Sequence, residues 1–362
     1  MAYEIDFLGV SKETKSGDAI LIRFGNLNGS RDEQTVVLID GGFKDTGDDI
    51  VGHVQTHYGT NRVDLVISSH PDQDHVNGLK TVIDTLDVGQ LWIHKPWEHN
   101  KGLADKFVDG RITDNSIGER LKDVVETAYD LVKAAENKGI TIREPFSGKV
   151  SLTGNGGTIS VLGPTVSYYE TLIPEIDGMP TAKAAADESF FGKIVEAVKK
   201  FFARWGTDDL DDDDTTSAKN NSSVITQIIV GDRRLVFTAD AGITALDAAA
   251  DELARCTTQA ELKFVQVPHH GSRRNVGPSV LNKLIGQPVN ENDSIGITAF
   301  VSCADGHPKH PHPAVLNAFS HRGVKVVATR GQGIRHHHGA PKRAGWSAVD
   351  AEPYHYQYDS EA

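Results

Sequence analysis

Cysteine is nearly absent: Cys256 and Cys303 are the two in 362 residues. They are too few for a disulfide framework or a four-thiolate zinc site, so reduced thiols are the simpler reading. No run approaches the roughly 18 apolar residues of a membrane span, and no membrane partner is expected. The start, MAYEIDFLGV, lacks the basic and long apolar regions of a secretory leader. Positive charge is also scarce, with 37 Lys and Arg against 50 Asp and Glu, a net −13. Such a surface repels phosphate backbones and excludes a general nucleic-acid coat protein. It leaves room for a groove made locally positive by side chains or bound cations. Neither a P-loop nor a dinucleotide fingerprint is present. The expectation is a cytoplasmic globular protein whose 16 histidines turn the search toward imidazole and carboxylate chemistry.

The N-terminal third reads as short strands. Tyr3–Leu8 alternates, Asp18–Phe24 is aliphatic, Thr35–Asp40 is β-branched and stops at Gly41-Gly42, and Val63–Ser69 reads as a strand buried on both faces. A short helix is expected over Ile50–His57 and another over Val76–Leu86. Ser116–Asn137 has one continuous helical periodicity. The segment 165–219 differs in character, with Tyr168-Tyr169, a small-residue stretch, an amphipathic helix around Phe190–Trp205 and the acidic run Asp208–Asp214. That run lacks the glycine and ligand spacing of an EF-hand, so a solvated loop is expected. From Ser222 the β/α rhythm resumes to Ala328. Two blocks of strands with attached helices imply two sheets with helices outside. The whole chain, 1–362, is read as a single α/β domain with insertions at about 96–138 and 165–219.

The strongest chemical signal is His70-Pro71-Asp72-Gln73-Asp74-His75, which closes a buried strand and opens a helix. In an extended turn residues i and i+2 project to the same side, so His70 and Asp72 can meet one cation. Asp74 and His75 can reach a second beside it. Nitrogen and oxygen ligands without thiolate suit Zn²⁺, Mn²⁺ or Fe²⁺ in a hydrolytic site. Asp240 ends a second apolar strand, where a carboxylate can bridge two metals or simply cap a helix. Pro268-His269-His270-Gly271-Ser272 ends a third strand and suits a metal or phosphate site.

These pieces, with Phe7–Val10, Gly17–Ile22, Leu38–Gly42, Asn220–Ser223, Thr238–Gly242 and His310–Pro313, resemble the metallo-β-lactamase superfamily. Within it they look like stand-alone relatives of the hydrolase domain of the competence protein ComEC. The resemblance spans about Tyr3 to Ala328 and implies an αββα sandwich with a metal site where the loops of the two sheets converge. It implies that Asp40 is a buried structural carboxylate that orients the metal loop. His70 and Asp72 would serve one metal, Asp74 and His75 the other, and Asp240 would bridge them. One of His269 and His270 would complete the second site. The commonest superfamily loop has histidines where Asp72 and Asn221 stand, so the first site is harder here and Mn²⁺ becomes as plausible as Zn²⁺.

Further residues are assigned to substrate. Asp74 would orient the attacking water, and His310 or His312 would contact substrate or donate a proton to the leaving group. Arg273 and Arg274 would hold phosphate oxygens, with Ser272, Asn221, His307 and Lys309 beside them. The expected activity is a phosphodiesterase or nuclease working on nucleic acid or a nucleotide through two divalent ions. The alternatives are a hydrolase of a small ester, lactone or phosphorylcholine-type substrate, and a regulatory subunit of a defence or DNA-handling system. In the last case a protein partner would dock through 165–214.

Overall fold

A computed structural model describes residues 1–183 and 200–359. Two seven-stranded sheets lie face to face. The first has the order β17-β1-β4-β5-β6-β7-β8 and the second β16-β15-β14-β13-β12-β10-β9. In the first sheet β1 is Ala2–Phe7, β4 Ile20–Gly25, β5 Gln34–Ile39, β6 Arg62–Ile67, β7 Asp87–Trp92, β8 Thr141–Arg143 and β17 Ile334–His338. The second sheet comprises β9 (Ser151–Gly154), β10 (Gly157–Gly163), β12 (Ile225–Val230), β13 (Arg233–Phe237), β14 (Glu261–Gln266), β15 (Thr298–Val301) and β16 (Lys325–Ala328). Two small ribbons complete the set, β2 (Ser11–Lys12) with β3 (Lys15–Ser16), and β11 (Lys200–Phe202) with β18 (Gln357–Asp359).

Strand alternation builds the layers. Ile20, Ile22 and Phe24 point between the sheets, where they join Phe237, Phe264 and Phe300. Leu21 points the other way, into a layer with Ile50, Val54, Leu79 and Leu121. The second sheet sends Val236, Val265 and Ala299 outward against Leu246, Leu281 and Phe319. Sheets covered on both faces must be apolar on both faces, which is why these strands read as continuous runs. The result is the expected αββα sandwich. No helix among the described residues is long and apolar enough to cross a membrane.

Several local expectations change. The periodic stretch 116–137 is two helices, Asp114–Val124 and Glu126–Asn137, broken at Val125, whose φ of −119° and ψ of 43° leave helical space. Of the helix expected around Phe190–Trp205, residues 190–199 lie outside the described residues, and Lys200–Phe202 is a strand paired with Gln357–Asp359. The acidic run is a loop exposed at Asp211, Asp212 and Asp213, as expected, but it is also tied to the fold. Asp208 holds Arg322 through two contacts of 2.9 Å, Asp212 accepts from the Ser279 amide at 2.9 Å, and Asp214 accepts from the Thr244 amide at 2.8 Å. Two of those amides open helices (Pro278–Leu284 and Ile243–Arg255), where a carboxylate is favoured.

Each sheet is antiparallel in one half and parallel in the other. β5 to β8 run parallel, as do β13 to β16. The C-terminal ends of β5, β6, β13, β14 and β15 therefore deliver five loops to one edge of the sandwich, where Asp40, the His70–His75 loop, Asp240 and His269-His270 gather.

Candidate metal centre

Asp40 follows β5 with a φ of 60°, and its fully buried carboxylate organises the loop after β6. Its Oδ1 accepts from the Ser69 amide at 2.8 Å. Its Oδ2 accepts from Ser69 Oγ at 2.6 Å and from His75 Nδ1 at 2.8 Å. Because Ser69 Oγ spends its proton on Asp40, it faces His70 Nδ1 at 3.0 Å as an acceptor. Both imidazoles thus carry a proton on Nδ1 and turn Nε2 toward Asp240. The loop is pressed against β4's approach: a Cβ on Gly17 would lie 2.5 Å from the Asp74 carbonyl. Only glycine admits that contact.

The second sheet supplies the facing half. Asp240 and the pair His269-His270 sit on turns where Ala239, His269 and His270 have φ of 47°, 47° and 55°. Such strained backbone gathers where function overrides local preference. His270 Nδ1 donates to the Ser302 carbonyl at 3.1 Å. Asn275 donates to the Asp240 carbonyl at 2.8 Å, which turns its Oδ1 toward His269 Nδ1, also at 2.8 Å. These two imidazoles also present Nε2.

All four Nε2 atoms converge on one oxygen. Asp240 Oδ2 lies 3.8 Å from His70, 3.5 Å from His75, 3.5 Å from His269 and 3.9 Å from His270. His270 is also 3.8 Å from Asp74, and Asp74, His75 and His270 form a group whose ligand atoms lie within 4.8 Å of one another. On the other side, Asp72 Oδ2 is 3.6 Å from His70. The Nε2 atoms of His70, His75 and His270, and Asp240 Oδ1, are buried without a hydrogen-bond partner. Orphaned atoms of this kind cost free energy unless something fills the space between them, and the donor set fits divalent cations. The geometry separates the histidine pair: His270 faces Asp74 and His75, while His269 reaches Asp240 from another loop contact.

The electrostatics agree. Burial pushes His75 and His270 down, but Asp240, with Asp40 for His75 and Asp74 for His270, outweighs it. His75 ends well above the ordinary range and His270 rises to about 9. Burial would raise Asp74 and Asp240, yet the surrounding histidines hold both below the usual carboxylate range. Asp72 is likewise lowered against burial by His70 and Lys219, whose Nζ is 3.4 Å away. A cluster that holds protons on imidazoles beside carboxylates exchanges those protons for metal.

Four residues at this centre were not assigned from the sequence. Asp18 is buried, raised by that burial, and anchored by Gln266 Nε2 at 2.9 Å; it groups with His75 and Asp240. Gln266 also accepts from the Thr238 and Ala239 amides, so it ties Asp18 to the Asp240 turn. Asn275 and Ser69 set imidazole tautomers. An aspartate, a glutamine, an asparagine and a serine inside apolar strands or small turns carry no spacing signal.

The residues assigned to substrate divide. Asn221 is committed to the scaffold: its Oδ1 accepts from the Gly242 amide at 3.1 Å and its Nδ2 faces Asp214 at 3.3 Å. A Cβ on Gly242 would sit 2.5 Å from that Oδ1. His312 caps the helix Pro313–Ser320 through Nδ1, which accepts from Ala314 at 3.1 Å, and is 1% exposed. Ser272 is buried and accepts from the Arg274 amide at 3.3 Å. His310 does approach the centre, with its ring 5.9 Å from His269 and stacked on His307 at 4.6 Å. Burial and the neighbouring His270, His269 and His307 push it down to about 3. Burial and those neighbours favour its neutral form. His307 Nδ1 accepts from the amides of Lys309 and His310, which shapes that loop. Lys309 and Arg274 are exposed and Arg273 is half-buried.

Residues 16–174 match the model of the metallo-beta-lactamase superfamily. No curated protein matches the chain. Among solved structures, the metallo-beta-lactamase fold protein YhfI from Bacillus subtilis is 11% identical, with 93% of this chain and 100% of that one covered and a TM-score of 0.42. Tm1679, described as a metal-dependent hydrolase of the beta-lactamase superfamily, is 13% identical, with 92% and 98% covered and a TM-score of 0.44. A metallo beta-lactamase from Hirschia baltica is 11% identical, with 78% and 91% covered and a TM-score of 0.33. The segment matched by the superfamily model supplies Asp18, Asp40 and the entire His70–His75 loop. That match makes residues 16–174 similar to the metallo-β-lactamase superfamily, and the sandwich brings Asp240 and the histidine pair, from outside the matched segment, to the same loops.

Proposed function

We infer that this protein is a dinuclear metal-dependent phosphodiesterase acting on nucleic acid or a nucleotide. The observation that carries the dinuclear part is the single Asp240 oxygen within 3.5–3.9 Å of four imidazole Nε2 atoms, with a carboxylate, Asp72 or Asp74, on either flank. On this reading His70, Asp72 and His269 would hold one ion, Asp74, His75 and His270 the other, and Asp240 both. Divalent ions there, Zn²⁺ or Mn²⁺, would supply Lewis acidity that makes water nucleophilic near neutral pH and stabilises charge on the attacked group.

The chain's own part is positioning. Asp40 and Ser69 fix His75 and His70, Asn275 fixes His269, and the Ser302 carbonyl fixes His270, so no ligand has to reorganise during turnover. Asp74 is held ionised and can accept a hydrogen bond from the attacking water. The neutral His310 ring donates a hydrogen bond to a substrate oxygen. Phosphate as the attacked group is supported by Lys219 beside Asp72, and by Arg273, Arg274 and Lys309 on the loops that carry the histidine pair and His310, on a chain of net charge −13. The narrower likeness to the hydrolase domain of ComEC favours nucleic acid or nucleotide, whereas the net charge disfavours long duplex DNA.

The test is a panel of Zn²⁺, Mn²⁺ and Mg²⁺ against bis-p-nitrophenyl phosphate, single- and double-stranded DNA, RNA, a lactone and a β-lactam. Phosphodiester turnover that drops in Arg274→Ala without metal loss supports the reading. Lactone or β-lactam turnover with no phosphodiester cleaved under any metal would replace it with the small-ester hydrolase.

A further inference from the structure

A second polar cavity lies away from the metal loops, on the side of the sandwich where β16 and β17 are the free edges of the two sheets. Those edges do not pair with each other. The chain from Lys342 to Glu352 crosses between them, held by the Glu352 amide on the Val326 carbonyl at 2.8 Å and by Arg330 on the Glu352 carboxylate at 2.9 and 2.7 Å. Beneath this strap is a cavity of about 750 Å³, within the ~300–1,000 Å³ usual for small-molecule sites.

Its charge is one-sided. Lys325, Arg335, Lys342 and Arg343 line it together with His336 and His337, and no aspartate or glutamate does among the described residues. Two buried carboxylates stand behind the wall, Glu4 and Asp6 on β1. Three guanidinium groups meet them: Arg23 and Arg335 on Glu4, and Arg343 on both. Arg335 and Arg343 are matched by these two carboxylates, and Arg23 does not line the cavity. Lys325 and Lys342 are exposed and have no carboxylate within 4.0 Å among the described residues, although Lys325 touches the Val349 carbonyl at 3.3 Å. The surplus at the cavity is therefore the positive charge of Lys325 and Lys342, on a chain of net −13. Burial, with His337, Arg233 and Lys325 nearby, brings His336 down to about 4, and burial with Arg335 holds His337 below its ordinary value, so both line the cavity as neutral hydrogen-bonding groups. Trp346 lies on the rim with the Arg343 guanidinium 5.0 Å from its ring centroid.

We propose that this cavity is a second binding site, separate from the metal centre, for a small polyanion of the phosphate class such as the polyphosphate group of a nucleotide. Lys325 and Lys342 supply movable cations, Arg335 and Arg343 are pre-oriented by Glu4 and Asp6, and the neutral imidazoles complete the hydrogen bonding. Trp346 stands where a ring attached to the phosphates would pass.

The test uses the full-length, metal-loaded protein titrated with tripolyphosphate, ATP and adenosine by calorimetry and tryptophan fluorescence. The expectation is a binding event, distinct from any at the metals, that Lys325→Ala/Lys342→Ala weakens at least tenfold and Lys342→Glu weakens further. Both lysines are exposed, so the fold and phosphodiester turnover should be unchanged. Tripolyphosphate binding as tightly as ATP would assign the affinity to the phosphates alone, and tighter ATP with a fluorescence change lost in Trp346→Phe would add the ring. Adenosine binding as well as ATP, or phosphate binding that neither lysine variant alters, would overturn the proposal, and either result would leave the reading of the metal centre standing.

Discussion

Asp40→Asn tests the centre without touching a proposed metal ligand. The carboxylate accepts three hydrogen bonds, from the Ser69 amide, Ser69 Oγ and His75 Nδ1, at 2.8, 2.6 and 2.8 Å. A carboxamide has one acceptor oxygen, so wherever it points, an N–H of the amide faces either the Ser69 N–H or His75 Nδ1–H. If the oxygen stays on Ser69, His75 must move its proton to Nε2, the atom that faces Asp240 at 3.5 Å. An imidazole with Nε2 protonated cannot bind a cation there. Losing an outer partner of a metal-bound histidine costs about 10–100-fold in affinity. Leaving one buried donor unpaired costs about 1–3 kcal/mol of stability. The assay is competition with a chromophoric chelator, alongside urea denaturation of the metal-free protein. A folded Asp40→Asn protein that binds metal within twofold of the original would refute the tautomer argument.

Other expectations follow from single sites. His94 packs with its ring centroid 4.5 Å from Phe146 and 4.4 Å from Tyr169, both tilted, and burial pushes it down to about 3 from 6.5. The unfolded chain then takes up a proton below pH 6.5 that the folded one refuses, so stability falls as pH falls through that window. At pH 5 the loss is about 2 kcal/mol, and His94→Phe should remove it; identical urea-denaturation slopes against pH in both proteins would sink the account. Asp208→Ala leaves the Arg322 guanidinium, whose side chain is fully buried, without its carboxylate, and should cost about 3–5 kcal/mol by urea denaturation. Elemental analysis should find His270→Ala depleted at the Asp74–His75 side and His269→Ala at the His70–Asp72 side, so that combining His270→Ala with Asp74→Ala loses no more metal than either alone. With Asp72 in place of a softer imidazole, Mn²⁺ should support turnover at least equal to Zn²⁺; activity with Zn²⁺ alone would contradict that.

The half of the centre legible in the sequence is the half written in one stretch. His70–His75 packs four candidate ligands into six residues at a strand end, and Asp240 and His269-His270 repeat the pattern of polar residues closing an apolar run. Patterns of this kind survive because β6, β13 and β14 are covered on both faces and stop abruptly where the loops begin. Asp18 belongs to the same centre yet sits at the entry to an aliphatic strand, where one carboxylate has no partner nearby in sequence. Its neighbours there, Gln266 and His75, lie far along the chain and meet it only when the two sheets close.

The same reasoning explains the edge strand that was missed. β17 reads Ile334-Arg335-His336-His337-His338, with no apolar alternation, because only its inward residues meet the inter-sheet core and Arg335 pairs with Glu4 on the other face. Glu4 and Asp6 disguised nothing in β1, where Tyr3, Ile5 and Phe7 keep the period of two, but their buried charge required cations from a strand more than three hundred residues later. The ties that the acidic loop Asp208–Asp214 makes were hidden for a related reason. A carboxylate that caps a distant helix or pairs with Arg322 looks, in sequence, like one facing water. Composition records the charge and only the fold records its partner, so long-range polar pairing is what the sequence of this chain conceals while its apolar periodicity declares the sandwich.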